Sequence, residues 1–599
     1  VSGAAPTSAD RPPFLGVERS FTDKRWEERL TDARAGLALA QHLGRPEIVG
    51  RVLAGRGVSL EGAEAFINPT LRHYLPDPRA LKDVDKAVAR LVAAIRNGET
   101  IAIFGDYDVD GATSAALLRR FGRAVGADVR VYIPDRIREG YGPNEAALLK
   151  LRREGAAVVI TVDCGITAFE PLAKAAAAGL DVVVVDHHTA EPTLPEAVAV
   201  VNPNRLDDTS DQGRLAAVGV AFLLVVALNR GLREAGWYRD RQEPDLLQWL
   251  DLVALGTVCD VVPLTGLNRA FTAQGLKVMA RRGNTGLAAL GDVAGLDEAP
   301  DSYHAGFLLG PRVNAGGRVG EASLGAQLLS SDDPVESAEI ARRLDAYNGE
   351  RKEIEIQVLD QAIRQIEERG GKGQGLVLAA AEGWHAGVIG IVASRLKERY
   401  DLPALVIALE GGLGKGSGRS VPGVDLGAAI LAARQAGLLI NGGGHPMAAG
   451  LSVAAAQLPA LRDFLEVRLA GQLQAIDFQP SLSLDGVIQP AAANAHLLRQ
   501  LRACGPFGMG NAQPRFAVPS ARITNASVVG QNHVRCSVTG TGGGRLKAIA
   551  FRAMDSDLGP ALLRRGALPL HLAGKLQWDR WAGAEAVQMI IDDAAPLNS

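Results

Sequence analysis

The rhythm of apolar positions changes along the chain, and each change marks a unit. Residues 1–48 are polar, with charged helical character over Lys24–Arg34, and predict a flexible N-terminal extension. Leu81–Arg96 carries apolar residues at helical spacing and predicts an amphipathic helix. From residue 101 short apolar runs alternate with helical patterns. Strands are expected at 101–104, 129–133, 157–162 and 181–185, and helices at 112–125, 144–154 and 168–178. Unbroken runs such as Val182–Val185 suit strands buried on both faces of a parallel sheet. The prediction is a doubly wound parallel-sheet α/β domain over 49–265, with Leu252–Cys259 as its last strand.

The pattern turns helical over 266–372. Pro334–Arg369 is dense in Glu, Arg, Lys and Gln, with Ile354, Val358, Ile363 and Ile366 at helical spacing. It predicts a long connecting helix, interrupted at Gly349 and ended by Gly370-Gly371-Lys372-Gly373. A second α/β unit is expected over 373–472, with strands at 375–380 and 404–409, a helix over Gly387–Arg399 and two Gly-rich loops. Over 473–599 short alternating segments (515–519, 521–529, 534–539, 545–551, 568–577 and 586–592) predict a small β-barrel.

Composition narrows the class. Among 599 residues, 47% are hydrophobic and 5% aromatic, with 69 Gly, which fits a large α/β protein with many turns. The net charge of −3 gives no global basic field, so any nucleic-acid contact must rest on local patches. Four cysteines, Cys164, Cys259, Cys504 and Cys536, lie far apart without a CxxC pair, which argues against structural zinc and a disulfide framework. No stretch is apolar enough to span a membrane, and VSGAAPTSADRPP has no signal core. The sequence starts at Val1 and reads as processed or trimmed, and a cytoplasmic location is expected.

The chemistry is concentrated at strand ends. IAIFGDYDVDGATS (101–114) runs from an apolar strand into Asp106, Asp108 and Asp110. A calcium loop is excluded, because its twelfth position is Leu117 and a strand, not a helix, precedes it. The same theme returns at Asp163-Cys164-Gly165, Asp186-His187-His188 and Asp260-Val261-Val262. In a parallel sheet such ends share one edge. A carboxylate-rich, His-poor cleft of this kind favours Mn²⁺ or Mg²⁺, with donors enough for two ions. Cys164 and Cys259 read as small buried residues rather than ligands.

Farther along, KGSGRS (415–420) offers backbone amides, the Ser417 hydroxyl and the Arg419 guanidinium for a phosphate, and NGGGH (441–445) adds His445. The P-loop spacing is absent. Arg136 lies past a strand, and Arg312, Asn314 and Arg318 lie in a Gly-rich loop. With Ser417 and Arg419 these make a candidate pocket for a 5′-terminal phosphate. Trp384 offers a stacking face for a base, or else a core residue. Arg535, Arg545, Lys547, Arg552, Lys575, Arg580, Trp578 and Trp581 give the barrel basic and stacking groups.

Taken together, FGDYDVDGATS, PDRIREGYG, VDCGI, VVDHH, LVALGTVCDVVPL, LGPRVNAGGR, GWHAGVIGIVASR, KGSGRS, GGGHPMAAG and GPFGMGNAQPRF resemble the DHH phosphoesterases, from about residue 50 to the C-terminus. The longer match is to the branch that degrades single-stranded DNA. That resemblance implies a DHH catalytic domain, a DHH-associated domain and an oligonucleotide-binding (OB) barrel. It implies Asp108, Asp110, Asp163, His187 and Asp260 as metal ligands, with Asp163 bridging two ions. Asp186 would orient a histidine, and His188 would face the scissile phosphate. Where related pyrophosphatases have a histidine ligand this chain has Phe104, so Asp106 is the substitute candidate. The implied activity is 5′ to 3′ hydrolysis of single-stranded DNA to 5′-mononucleotides in repair and recombination. The implied partners are a DNA helicase and the single-stranded-DNA-binding protein.

Overall fold

The computed structural model describes residues 12–136, 138–371, 373–476, 478–564, 568–579 and 586–597. The N-terminal region departs from expectation. Residues 12–48 are built into the barrel module, and 1–11 lie outside the described residues. Strand β1 (Arg25–Glu28) pairs in parallel with Ser481–Leu484, and the fully buried Trp26 donates Nε1–H to Asp593 Oδ2 at 2.8 Å. Leu39, Val49, Val52 and Leu53 from two short helices join the barrel core. The polar composition hid this because the apolar partners of these few residues lie hundreds of positions away.

The first large sheet is parallel, with β2 (Thr100–Gly105), β3 (Val129–Tyr132), β4 (Ala156–Val162), β5 (Asp181–Val185) and β6 (Ala199–Val201) in the order β3-β2-β4-β5-β6. Alternate residues of β2 enter different cores, Ile101 and Ile103 on one face, Ala102 and Phe104 on the other. The strand order reverses between β2 and β4, so the crevice beyond their C-terminal ends is the place where a ligand fits.

Leu252–Cys259 is not a strand. It lies in a helix, Leu250–Cys259, buried on nearly every side. An apolar run of this length cannot reveal by periodicity whether it is a buried strand or a buried helix. The sheet takes β6 as its edge instead. Arg312, Asn314 and Arg318 sit on the helix Gly310–Val319, not in a loop.

The long connector is a helix from Pro334 to Glu368, N-capped by Asp333. It leads into the second sheet, β7 (Val377–Glu382), β8 (Ala404–Glu410), β9 (Leu413–Arg419), β10 (Asn441–His445) and β11 (Ala448–Ala454), in the order β10-β11-β9-β8-β7. Both supposed Gly-rich loops are therefore strands. Glycine is needed there for close packing: a Cβ at Gly414, Gly416 or Gly418 would come 2.7 Å from Ile407, Leu451 or Leu426.

The last module has β12 (Ser481–Leu484), β13 (Gly486–Val487), β14 (Phe516–Val529), β15 (His533–Thr539), β16 (Arg545–Ala550), β17 (Leu570–Trp578) and β18 (Val587–Pro596). A β14–β17 pairing closes five of them into a barrel. The segments expected at 515–519 and 521–529 are one strand, irregular near Ser520. Lys547 and Lys575 pair with Asp579 and Asp592, and Arg580 and Trp581 lie outside the described residues.

Candidate active site

The strand ends deliver their carboxylates to one cleft. Asp106 follows β2 and is 4% exposed. Asp108 N-caps the helix Val109–Ala124, its Oδ1 accepting from Asp110 N at 2.8 Å and Gly111 N at 3.1 Å. Asp110 faces the start of the helix Ala217–Glu234, accepting from Ala217 N at 2.6 Å and Val218 N at 2.9 Å. The helix dipole favours a negative charge there. Asp163 follows β4 at φ 60°, and its carbonyl accepts from the Tyr141 hydroxyl at 3.0 Å. Asp260 is at the C-terminal end of the helix Leu250–Cys259, which comes close because residue 256 is glycine: a Cβ there would meet Thr113 Oγ1 at 2.4 Å.

The two histidines after β5 are oriented differently. His187 donates Nδ1–H to Leu215 O at 3.0 Å, so its Nε2 lone pair points among the carboxylates, 3.2 Å from Asp163 Oδ1. His188 places Nδ1 2.7 Å from Asp186 Oδ1, which leaves Nε2 without a hydrogen bond among the described residues. Asp186 is wholly buried and also accepts from the amides of Ile166, His187 and His188, so it orients the His188 imidazole and anchors the backbone of both histidines without joining the cluster. Such an outer carboxylate fixes tautomer and ring direction.

Three overlapping sets have ligand atoms within 4.8 Å of one another: Asp163–His187–His188, Asp110–His187–Asp260 and Asp106–Asp108–Asp163. Asp106 Oδ1, Asp163 Oδ1, His187 Nε2 and Asp260 Oδ2 are buried without a hydrogen-bond partner. Four buried polar atoms with no partner and one common direction fit hard divalent cations. The electrostatics agree. Burial, then repulsion from Asp108, pushes Asp106 and Asp163 well above the usual carboxylate range and Asp110 up to about 7. Burial and the charge of Asp110 push Asp260 up to about 9. Burial holds His187 down at about 4, so it is neutral and able to ligate. Burial would also lower His188, but the bond to Asp186 outweighs it and the net shift is upward.

These shifts have a sign that can be tested without substrate. A carboxyl raised in the fold keeps its proton where the unfolded chain has lost it. Stability is then full below the unfolded value of about 3.8 and falls as pH rises towards about 7 for Asp110 and about 9 for Asp260. In EDTA the melting temperature is expected to fall between about pH 5 and about pH 9, and saturating Mn²⁺ should remove that slope. A flat or rising profile in EDTA would count against a metal-dependent cluster.

Beside the acidic cluster lies a basic one. Arg136 is 4.9 Å over the Tyr107 ring, and Arg318 donates to Gly387 O at 3.1 Å. Burial, then the charges of Arg136 and Arg351, holds Arg318 down at about 10. Burial and Arg136 also lower Arg419, whose Nη1 donates to Ser417 Oγ at 3.2 Å and Gly418 O at 2.8 Å. Among the described residues the contacts of Arg136, Arg318 and Arg419 are to a ring, backbone carbonyls and a hydroxyl, and none is an ion pair with a carboxylate. Neighbouring guanidiniums without an ion-pair partner are the chemistry of a phosphate site. His445 and Arg419 stand opposite the same residue, Ala448, across β10-β11-β9, so they share a sheet face.

Two predicted contacts fall away. Trp384 is 7% exposed, packed with Val358 and Val392, and donates Nε1–H to Gln361 Oε1 at 2.7 Å, so it is a core residue and no stacking face. Trp384→Ala is expected to cost about 3–5 kcal/mol of stability, read by denaturant melts, with KM for the nucleic acid unchanged when Trp384→Phe restores the core. Arg312 is bound to Asp345 at 2.9 Å and Leu308 O at 2.7 Å, which ties its helix to the long one. Asn314 is half-buried on the same helix.

Sequence reading missed Tyr141, Asn202 and Asn204. Asn202 donates to His188 O at 2.9 Å, and Asn204 donates to His187 O. The signal was present as an apolar run, VAVV, ending in Asn-Pro-Asn. It also missed Tyr303 and Phe307, 61% and 74% exposed and stacked 5.4 Å apart beside the helix that ends at Asp260.

Comparison with known proteins follows the same layout. Models of the DHH family N-terminal domain, the DHHA1 domain and the RecJ OB domain match residues 100–257, 372–471 and 484–593. The chain is 35% identical over 581 residues to the single-stranded-DNA-specific exonuclease RecJ of Bacillus subtilis, covering 95% of this chain and 71% of that one. It is 37% identical over 565 residues to the Escherichia coli protein of the same name, covering 92% and 96%. The crystal structure of RecJ with Mn²⁺ from Thermus thermophilus superposes with a TM-score of 0.77 at 28% identity, covering 94% of this chain and 78% of that one.

Proposed function

Since the chain belongs to the RecJ family of single-stranded-DNA-specific exonucleases, we propose that it hydrolyses single-stranded DNA from the 5′ end to 5′-mononucleotides in repair and recombination. The observation that carries this reading is the convergence of four atoms without hydrogen-bond partners, on Asp106, Asp163, His187 and Asp260, beside a cluster of arginines that form no ion pair among the described residues. Asp106, Asp108, Asp110, Asp163, His187 and Asp260 would hold Mn²⁺ or Mg²⁺, two ions in all. When bound, such ions acidify water and neutralise charge on the phosphate.

The chain's own side chains do the rest. Asp186 keeps His188 Nδ1 engaged, so Nε2 is the ring atom presented to the scissile phosphate, as a charge stabiliser or proton donor to the leaving oxygen. Arg136, Arg318, Ser417 and Arg419 would grip the 5′-terminal phosphate and set the next phosphodiester on the carboxylate cluster, which gives the polarity. His445 on the same sheet face as Arg419 would add a phosphate contact, and Asn314 would line the same cleft. Tyr303 and Phe307 offer a stacking surface; replacing both with alanine is expected to raise KM for a long strand about tenfold or more with little change in kcat. Equal KM values would remove them from the path.

The direct test is digestion of 5′-phosphorylated and 5′-hydroxyl single strands and a blunt duplex across Mn²⁺ and Mg²⁺ titrations. Release of mononucleotides from the 5′ end of single strands alone is expected. Attack from the 3′ end, or on the duplex, would overturn the reading. We also place the protein in the cytoplasm, with a DNA helicase supplying strands and the single-stranded-DNA-binding protein coating them. No described helix is long and apolar enough to cross a membrane.

A further inference from the structure

The residue after Asp260 is held in a conformation that its side chain resists. Val261 has φ 60°, a left-handed value at which a β-branched residue is a genuine outlier. Strain of this kind persists only where the surroundings over-determine it. Its own side chain, 58% exposed, cannot supply the restraint. The restraint comes from the next residues. Leu264 N–H donates to Met509 O at 2.8 Å, and Asn268 Nδ2 donates to Pro263 O at 3.1 Å. Gly508 and Gly510 lie against the same two residues: a Cβ would come 2.7 Å from Leu264 Cδ1 and 3.2 Å from Pro263 Cβ. Residues 508–510 belong to the loop Cys504–Asn511 of the barrel module.

Within the loop Asn511 Nδ2 donates to Cys504 O and Pro506 O, and two side chains of the catalytic module hold it from outside: the Ser302 hydroxyl donates to Phe507 O, and Arg269 reaches the carbonyls that open it. Arg269 is 0% exposed on the helix Gly266–Met279. It donates from Nη2 to Cys504 O at 2.9 Å and to Gly505 O, from Nη1 to Pro506 O at 3.3 Å, and from Nε to Phe66 O at 2.8 Å. Its guanidinium also stacks 3.7 Å over the Phe66 ring. The groups it touches are carbonyls and a ring, and burial lowers it to about 10. A buried cation is costly, and an apolar side chain would seal an interface more cheaply. The guanidinium fork, with its donors fixed in one plane, reaches all three consecutive carbonyls at once, whereas an ammonium on a flexible stem presents no such fixed array.

We propose that Arg269 is a positioning residue for Asp260: it fixes the barrel loop, the loop holds Pro263 and Leu264, and these hold the strained Val261 turn that aims Asp260 at the carboxylate cluster. The inference rests on the metal-dependent reading above. It makes the barrel a structural part of the metal centre as well as a nucleic-acid module. Asp260 groups with Asp110 and His187, whereas Asp106, Asp108 and Asp163 form a set the loop does not support. Loosening the loop should therefore weaken one ion site and spare the other.

The test is Mn²⁺ binding to the full chain, followed by the electron paramagnetic resonance signal of the free ion. Arg269→Lys keeps the charge and loses the fork. Gly510→Ala leaves Arg269 in place and wedges the loop off Pro263, at a position whose φ of 72° disfavours a side chain. Each variant is expected to weaken one of two Mn²⁺ sites about tenfold, leave the other unchanged and keep the native circular dichroism spectrum. Adding Val261→Gly to Arg269→Lys should restore most of the lost affinity, because glycine takes positive φ without restraint. If Arg269→Lys does not fold, Gly510→Ala alone decides. A folded variant that binds both ions like the parent, an equal weakening of both sites, or no restoration by Val261→Gly would each overturn the proposal. Because the readout is ion binding, a different substrate would leave these results standing; failure of the parent protein to cut single strands would instead sink the substrate reading.

Discussion

Asp163→Ala is expected to lower kcat on single-stranded DNA on the order of 1,000-fold or more, with strand binding in EDTA nearly unchanged. The size follows from its place. Asp163 belongs to two of the three ligand sets, and its Oδ1 is 3.2 Å from His187 Nε2. Its removal takes a donor from both sets, while its burial at the end of β4 means that no solvent carboxylate can replace it. Asp186→Asn should be milder, about 10- to 100-fold, because it loosens His188 without removing a donor. Turnover by Asp163→Ala within tenfold of the parent enzyme would show that hydrolysis happens elsewhere.

The second large effect concerns the strand end. Arg419→Ala removes a half-buried guanidinium with no carboxylate partner among the described residues, next to Arg136 and Ser417. Losing a charged contact to a phosphate is worth about 2–3 kcal/mol, or roughly 30- to 150-fold in kcat/KM. That loss should appear on a 5′-phosphorylated strand and hardly at all on a 5′-hydroxyl strand. Equal losses on both would make Arg419 a general backbone contact and leave polarity unexplained.

How legible was this site in the sequence? The strand-end acids were readable because an apolar run followed at once by Asp or His is a local signal, and the parallel sheet gathers such ends by rule. Asp106, Asp108, Asp110, Asp163, His187, His188 and Asp260 all reach one cleft for that reason. Asp260 reaches it from a helix, though, because Leu250–Cys259 is apolar on all sides and carries no period. KGSGRS and NGGGH read as loops since glycine usually breaks strands; here Ile407, Leu426 and Leu451 fill the space that side chains would take. Trp384 divides evenly between stacking and packing on sequence alone, and only Gln361 and the long helix decide it. Least legible was the coupling of Arg269 to residues 504–506, a set of backbone carbonyls that leaves no mark on composition.

The stitch between β1 and the barrel bears on the order in which the protein acquires its shape. Trp26 and its partner Asp593 are 567 residues apart. On the ribosome the first strand is made early and its neighbours last, while both inner sheets are complete in between. Closing so long a loop is slow, and an unpaired strand invites misassociation during the wait. The middle of the chain should thus become protease-resistant during synthesis, and the barrel with its N-terminal segment only after release. A nascent chain would then gather Asp106, Asp108 and Asp163 before Met509 reaches Leu264.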